Sequence, residues 1–260
     1  MSRPAVPATA LIVDLRDFTL TFSDATARND EQAFLAVLAN FYEVCLAAAG
    51  EACSEPSGTR LHVNSTGDGM LLVFLGGPGE PPGTHALRAY LTAVLLQQRL
   101  PPVFAALQKK PTTSDPRFGM GLESGEVHIV DAAAGDQGVR TCIGHCINIA
   151  ARLEDLTKTV SATALVVGEE ANAHVTEALL PGVRYADLVR QARNPALDSA
   201  TLAAVFGEMR RANDAIGLTW IGAVNLKGVD QPLLAFRSAV SILQRRYRDI
   251  VAALRSALPL

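Results

Sequence analysis

Residues 59–75 constrain the fold more than any other stretch of the chain. Two strand-like runs, Thr59 to Ser65 and Met70 to Leu75, are separated only by Thr66-Gly67-Asp68-Gly69. So tight a connection, with glycines supplying backbone angles that other residues avoid, predicts a β-hairpin and hence antiparallel pairing. The turn also sets a carboxylate, Asp68, at a strand tip. A second buried strand is predicted at 8–15, where Ile12 and Val13 lie among Ala and Leu, and it closes on another carboxylate, Asp14. An acidic residue at a strand end is ordinarily part of a turn. Two of them on neighbouring strands would make a site for a hard cation, because Mg²⁺ and Mn²⁺ take oxygen ligands and commonly share them with phosphates.

The rest of the chain supplies helices to cover such a sheet. Asp30 offers an N-cap to a helix from about Glu31 to Ala49, with Phe34, Leu35, Val37, Leu38, Phe41, Tyr42 and Cys45 at helical spacing. Gly76 to Gly83 is a loop by composition. A second amphipathic helix is expected from about Thr84 to Arg99, resuming to Lys109. Strand character returns from Arg117 to Asp131, where Gly119, Gly121 and Gly125 point to close backbone approach or bulges. Ile147 to Leu156 reads as helix and Thr163 to Val167 as a short strand. Two helical patterns fill 186–216, read as an insertion, before Leu218 to Asn225. Ile242 to Leu258 is an amphipathic helix with Leu243, Tyr247, Ile250, Val251 and Leu254 on one face and Arg245, Arg246, Arg248 and Arg255 elsewhere. The order β-α-β-β-α-β-α-β is that of an α+β sandwich without internal repeats.

Composition narrows the function classes. Of 260 residues, 49% are hydrophobic and 19% charged, which supplies a large core and argues against disorder. With a net charge of -3, nothing in the composition suggests a nucleic-acid surface. Met1-Ser2-Arg3-Pro4 leads into no signal-like segment, and the apolar stretches fall short of a membrane span. The expectation is a cytoplasmic protein with no stable membrane insertion. Cys45, Cys53, Cys142 and Cys146 form no C-x-x-C pair and are expected as reduced thiols. His62, His85, His128, His145 and His174 lack metal-ligand spacing and are expected at the surface or in packing.

Chemistry gathers at three places. Arg16-Asp17-Phe18-Thr19 turns towards helix directly after Asp14, so its free N–H groups would receive a polyphosphate. Asn148 and Arg152 stand four apart, which puts a neutral donor and a guanidinium on one helix face, suited to a phosphoryl group gaining charge. Asp17 itself is expected to cap the helix that follows.

Five segments in order resemble the catalytic domain of class III nucleotide cyclases. Val13-Asp14-Leu15-Arg16-Asp17-Phe18-Thr19 is similar to the first-metal motif, and Thr66 to Phe74 to the hairpin with the second metal aspartate. Gly121-Leu122-Glu123-Ser124-Gly125-Glu126-Val127 resembles a glycine-bearing strand of the family. The segment from Gly144 through Ile147, Asn148, Ala150, Ala151, Arg152 and Leu153 resembles its catalytic helix. Leu226-Lys227-Gly228-Val229-Asp230-Gln231-Pro232 is similar to the end of bacterial members. The resemblance spans about residues 8–237. It implies a ferredoxin-like, palm-type antiparallel sheet with helices packed on it, in a catalytic domain of residues 1–238, followed by a C-terminal helix at 239–260.

It also implies a homodimer that binds a nucleoside triphosphate at its interface. Asp14 and Asp68 of one chain, aided by the Leu15 carbonyl, would hold two Mg²⁺ or Mn²⁺ ions. Asn148 and Arg152 of the other would steady the ribose and the reacting phosphorus. Phe18, Thr19 and Lys227 would meet the substrate, Lys227 at the pyrophosphate unless it is simply a surface lysine in a turn. The signature of diguanylate cyclases is absent.

Two departures concern the base. Purine cyclases of this family read the base from one position three before the hairpin glycine and another seven before the catalytic Asn. Here these are Asn64 and Thr141, and neither purine pair is present. Asn and Thr each offer a donor and an acceptor, which permits adenine, uracil or cytosine. The resemblance therefore extends to stand-alone bacterial pyrimidine cyclases of anti-phage signalling, with UTP first, CTP next, and a downstream effector that binds the cyclic nucleotide. An adenylate cyclase is one alternative. A catalytically silent nucleotide-binding homologue is another. The third departure is Asp17, where the family usually has Gly.

Overall fold

In the computed structural model, which describes residues 4–53, 60–105, 118–134, 137–160, 163–238 and 240–259, β1 (Val6–Leu15) lies between two antiparallel partners. On one side is β3 (Gly69–Leu75), itself paired with β2 (Leu61–Ser65) as the hairpin predicts. On the other is β4 (Phe118–Ala134), whose first half pairs with β1 and whose second half, from His128, pairs with β5 (Gln137–Ile143). The sheet continues through β6 (Leu165–Val167) and β8 (Leu233–Ser238) to β7 (Leu218–Val224), in the order β2-β3-β1-β4-β6-β8-β7. The β4–β6 pairing is parallel and the others are antiparallel. Thr59, Arg117 and the helical extension towards Lys109 fall outside the described residues.

Side-chain alternation gives the sheet two packed faces. Leu11 and Val13 of β1, Leu72 and Phe74 of β3, and Met120 and Leu122 of β4 point into the larger core. That core is covered by α2 (Glu31–Cys53) and α3 (Thr84–Ala105), then by α5 (Glu169–Leu179), α6 (Tyr185–Ala192), α7 (Ser199–Ile216) and α8 (Val240–Ala257). The opposite face carries Ala8, Val73 and Val127, against which Cys146 and Ile147 of α4 (His145–Leu156) pack. The four cysteines are free and buried. Buried Glu123 accepts hydrogen bonds from the Ser124 N–H (2.8 Å) and the Ala171 N–H (2.9 Å), which satisfies a first-turn donor of α5 from a neighbouring strand.

The helix expected after Asp17 is α1 (Phe18–Ala27), and the structure adds elements that the residue pattern does not announce: β5, α5 and β8. The two helical patterns of 186–216 are α6 and α7. Tyr185, Leu188, Val189, Val205, Met209, Ala212 and Ile216 belong to the main core. Asn213 Oδ1 accepts from Tyr185 Oη and from Asn172 Nδ2, each at 2.9 Å, and Tyr90 Oη donates to the Ile216 carbonyl at 2.7 Å. Buried hydrogen bonds of this kind fix helices in place, so α6 and α7 are structural parts of the core and not a satellite to it. Helix α8 likewise buries Ile250, Val251 and Leu254 in that core.

Helix α2 corrects the reading of apolar stretches. It is 23 residues long with a mean hydropathy of 1.7 over its most apolar window, enough by length and composition to cross a bilayer. Its inward face, with Phe41, Cys45, Ala48 and Ala49 fully buried, belongs to the main core alongside residues of α3.

Candidate active site

The register of β1 against β3 pairs Asp14 with Gly69, the residue after Asp68. The Leu15 N–H donates to the Asp68 carbonyl at 3.0 Å, so the tip of β1 and the hairpin turn are tied together by backbone. Gly69 is obligatory for this approach. A Cβ there would stand 2.7 Å from the Val13 carbonyl oxygen and 2.8 Å from Asp14 Oδ1. Tyr42 Oη of α2 donates to the Gly67 carbonyl, fastening the turn to the helix layer.

Asp14 is therefore half-buried beside a second carboxylate. Burial first, and the charge of Asp68 second, push its pKa up to about 6, while Lys158 and the Leu15 N–H pull the other way. A carboxylate so placed gains by meeting a cation. Among the described residues no three His, Cys, Asp or Glu side chains converge as a metal cage. Two carboxylates are nonetheless what a Mg²⁺ or Mn²⁺ site needs when phosphate and water complete the shell. The donor set at Asp14 and Asp68 fits such ions.

Helix α4 owes its position to the glycines of β4. A Cβ on Gly121 would meet the Ala150 carbonyl oxygen at 1.9 Å, and one on Gly119 would meet Glu154 Oε1 at 2.3 Å. Close backbone approach is thus the reason for the glycines, and the strand runs unbroken beneath the helix. Asn148 and Arg152 share the exposed face of α4, where Arg152 Nη1 lies 3.6 Å from Asp155 Oδ2. Lys158, just beyond the end of α4, is the residue of this segment beside Asp14, and Asp155, which meets Lys158 at 2.9 Å, also lies beside Arg152.

The other expected site residues are scattered in a single chain. Phe18 opens α1 with its ring committed to an aromatic cluster, 5.3 Å from Phe34 and 6.3 Å from Phe22 between centroids. What it offers a phosphate is backbone N–H, together with that of Thr19, since first-turn donors lack helical acceptors. Asp17 stands at the N-cap with φ 56° and makes no side-chain cap hydrogen bond. That corrects the capping expectation: an N-cap side chain reaches the first turn from extended backbone, not from the left-handed region. The left-handed φ also explains why glycine suits this position. Asn64 is exposed on edge strand β2 and Thr141 lies on β5, opposite Val130. Lys227 is exposed in the turn between β7 and β8, and β8 is three strands from β1, on the order of 14 Å.

Two residues near the acidic pair escape the sequence reading. Lys158 Nζ lies 3.9 Å from Asp14 Oδ2, and Glu154, 4% exposed, holds that ammonium at 3.3 Å. Both look like members of ordinary i,i+4 surface pairs in the sequence. Arg16 donates to the carbonyls of Thr157 (2.7 Å) and Thr163 (3.1 Å), pinning the same turn to the end of β1.

No family model and no curated protein matches the chain. Solved structures do. The adenylyl cyclase CyaB from P. aeruginosa is similar with a TM-score of 0.61 and 14% identity, over 90% of this chain and 94% of that one. A guanylyl cyclase is similar at 0.59 and 18% identity, over 92% and 94%. The guanylate cyclase domain of RhGC from Catenaria anguillulae, solved in complex with GTP, is similar at 0.50 and 15% identity, over 90% and 96%. This is the fold of class III adenylyl and guanylyl cyclase catalytic domains: one mainly antiparallel sheet with helices packed on it.

Proposed function

We propose that the chain is a nucleotidyl cyclase, a phosphorus–oxygen lyase that converts a nucleoside triphosphate into a 3′,5′-cyclic nucleotide and pyrophosphate. The observation that carries this reading is the backbone-tied pair Asp14 and Asp68 on a cyclase fold, beside a helix that presents Asn148 and Arg152 to the outside. Bound by Asp14, Asp68 and the Leu15 carbonyl, two divalent ions would activate the 3′-hydroxyl and neutralise the leaving pyrophosphate. The N–H groups of Phe18 and Thr19 face the triphosphate. Arg152 balances the charge that develops on the α-phosphorus oxygens, and Asn148 holds the ribose.

The active unit is a homodimer in which α4 of each chain completes the carboxylate pair of the other. The exposure of Asn148 and Arg152 on α4 supports this. So do Ile143 and Val130, 59% and 40% exposed, on the same face of the β4–β5 ribbon as Thr141. Large apolar side chains in the open mark surfaces that meet a partner. Asn64 and Thr141 select the base, with UTP ahead of CTP and ATP, and the product acts as a second messenger of anti-phage defence.

The deciding experiment incubates purified protein with Mn²⁺ and ATP, GTP, CTP or UTP separately and identifies products by mass. A cyclic nucleotide from UTP in greatest yield is expected. No cyclic product from any of the four removes the enzyme reading, and ATP as the sole good substrate reverses the base order.

A further inference from the structure

Lys158 follows α4, and its ammonium stands among three carboxylates: 2.9 Å from Asp155 Oδ1, 3.3 Å from Glu154 Oε2 and 3.9 Å from Asp14 Oδ2. The first two are local to its own segment. The third is not, since Asp14 sits on the central strand. Glu154 is 4% exposed, and its other oxygen, Oε1, is buried without a hydrogen-bond partner. A buried carboxylate in that condition strongly retains its one cation, because losing it leaves an uncompensated charge. Asp155 adds a second anchor while also facing Arg152. Lys158 is therefore held within range of Asp14 by groups that do not belong to the carboxylate pair.

We propose that Lys158 is a resident counter-cation of the Asp14–Asp68 pair, which weakens the pair's hold on a free divalent ion and couples metal loading to arrival of the triphosphate. This rests on the reading of Asp14 and Asp68 as metal ligands. The charges make the case. Two divalent ions bring four positive charges to a cluster in which one ammonium already stands among the carboxylates of Asp14, Asp68, Glu154 and Asp155, so the site carries net positive charge until a polyanionic substrate joins it. With the dielectric constant of water, a single positive charge about 5 Å from a divalent ion weakens its binding by roughly tenfold. The effect shrinks as salt is added.

The test is Mn²⁺ binding to the nucleotide-free protein, followed by the electron paramagnetic resonance signal of free Mn²⁺. Lys158→Met is expected to bind Mn²⁺ about tenfold more tightly than the natural chain at low ionic strength. Lys158→Arg, which keeps the charge, should bind like the natural chain. Lys158→Gln replaces the Met variant if thermal unfolding shows the latter misfolded. Unchanged or weaker binding by the neutral variants, with binding still abolished in an Asp14→Asn, Asp68→Asn chain, overturns the role of Lys158 and leaves the metal site standing. Undiminished binding in that double variant removes the metal reading, and the Lys158 proposal with it.

Discussion

Asp14 gathers most of the chemistry into one side chain. With its pKa raised to about 6 by burial and by Asp68, it binds a proton more tightly when folded than when unfolded. Its ionisation therefore costs the fold stability as pH rises from the ordinary carboxylate value towards 6, and a cation at the site reverses that cost. Mn²⁺ must displace the proton, so affinity should climb about tenfold per pH unit below 6 and level off above it. Calorimetric titrations across that range check this, and an Asp14→Asn chain should lose the dependence together with most of the affinity. Asp17 gives the opposite kind of prediction. Its left-handed φ of 56° is uncompensated by any side-chain cap, so Asp17→Gly should stabilise the protein by about 0.5–1 kcal/mol in urea unfolding. A loss of stability would mean that the carboxylate supports the turn by another route.

Between elements, the closest fit is α4 on β4, and it is what aims Asn148 and Arg152. Gly121→Ala would drive a Cβ into the Ala150 carbonyl, and neither partner is the end of a flexible side chain. A cost of about 3 kcal/mol or more is expected, because backbone has to move in a packed core. Catalysis should fall further than stability alone explains, which activity measured on the folded fraction will show. This contact was legible in the sequence as the spacing of Gly119, Gly121 and Gly125, and the hairpin was legible in its turn. Both signals are local. Helix α5 was not legible, because Asn172 and Thr176 point into the core and are satisfied by Asn213 and by each other, which erases the apolar stripe. Strand β5 hides because it pairs only with the far half of β4 and joins no apolar run. Helix α1 was legible at its start, after Asp17, while its aromatic packing on Phe34 appears only in the fold. Lys158 was unreadable for a related reason: its local acidic neighbours accounted for it, and only the folded sheet adds Asp14.

At the scale of the whole molecule, the proposed site draws on two chains. The carboxylate pair lies at the tips of β1 and β3, Asn148 and Arg152 lie on the exposed face of α4, and Lys227 is strands away across the sheet. A second copy turned to face the first would bring its α4 to these carboxylates, and the exposed Ile143 and Val130 would be covered in doing so. Such a dimer has two equivalent sites, each using carboxylates from one chain and Asn148 and Arg152 from the other. Asp14→Ala and Arg152→Ala chains should each be nearly inactive alone. For Arg152→Ala this corresponds to a loss of about 2–4 kcal/mol of transition-state stabilisation. Mixed and allowed to exchange, they form heterodimers in which one site carries both lesions and the other carries none. If subunits exchange at random, half of the dimers are mixed, and activity should recover to about a quarter of that of the natural protein. Differently tagged chains, purified as heterodimers before assay, make the comparison quantitative. Heterodimers that remain inactive would place all four residues in one chain's site and return α4 to the carboxylates beside it.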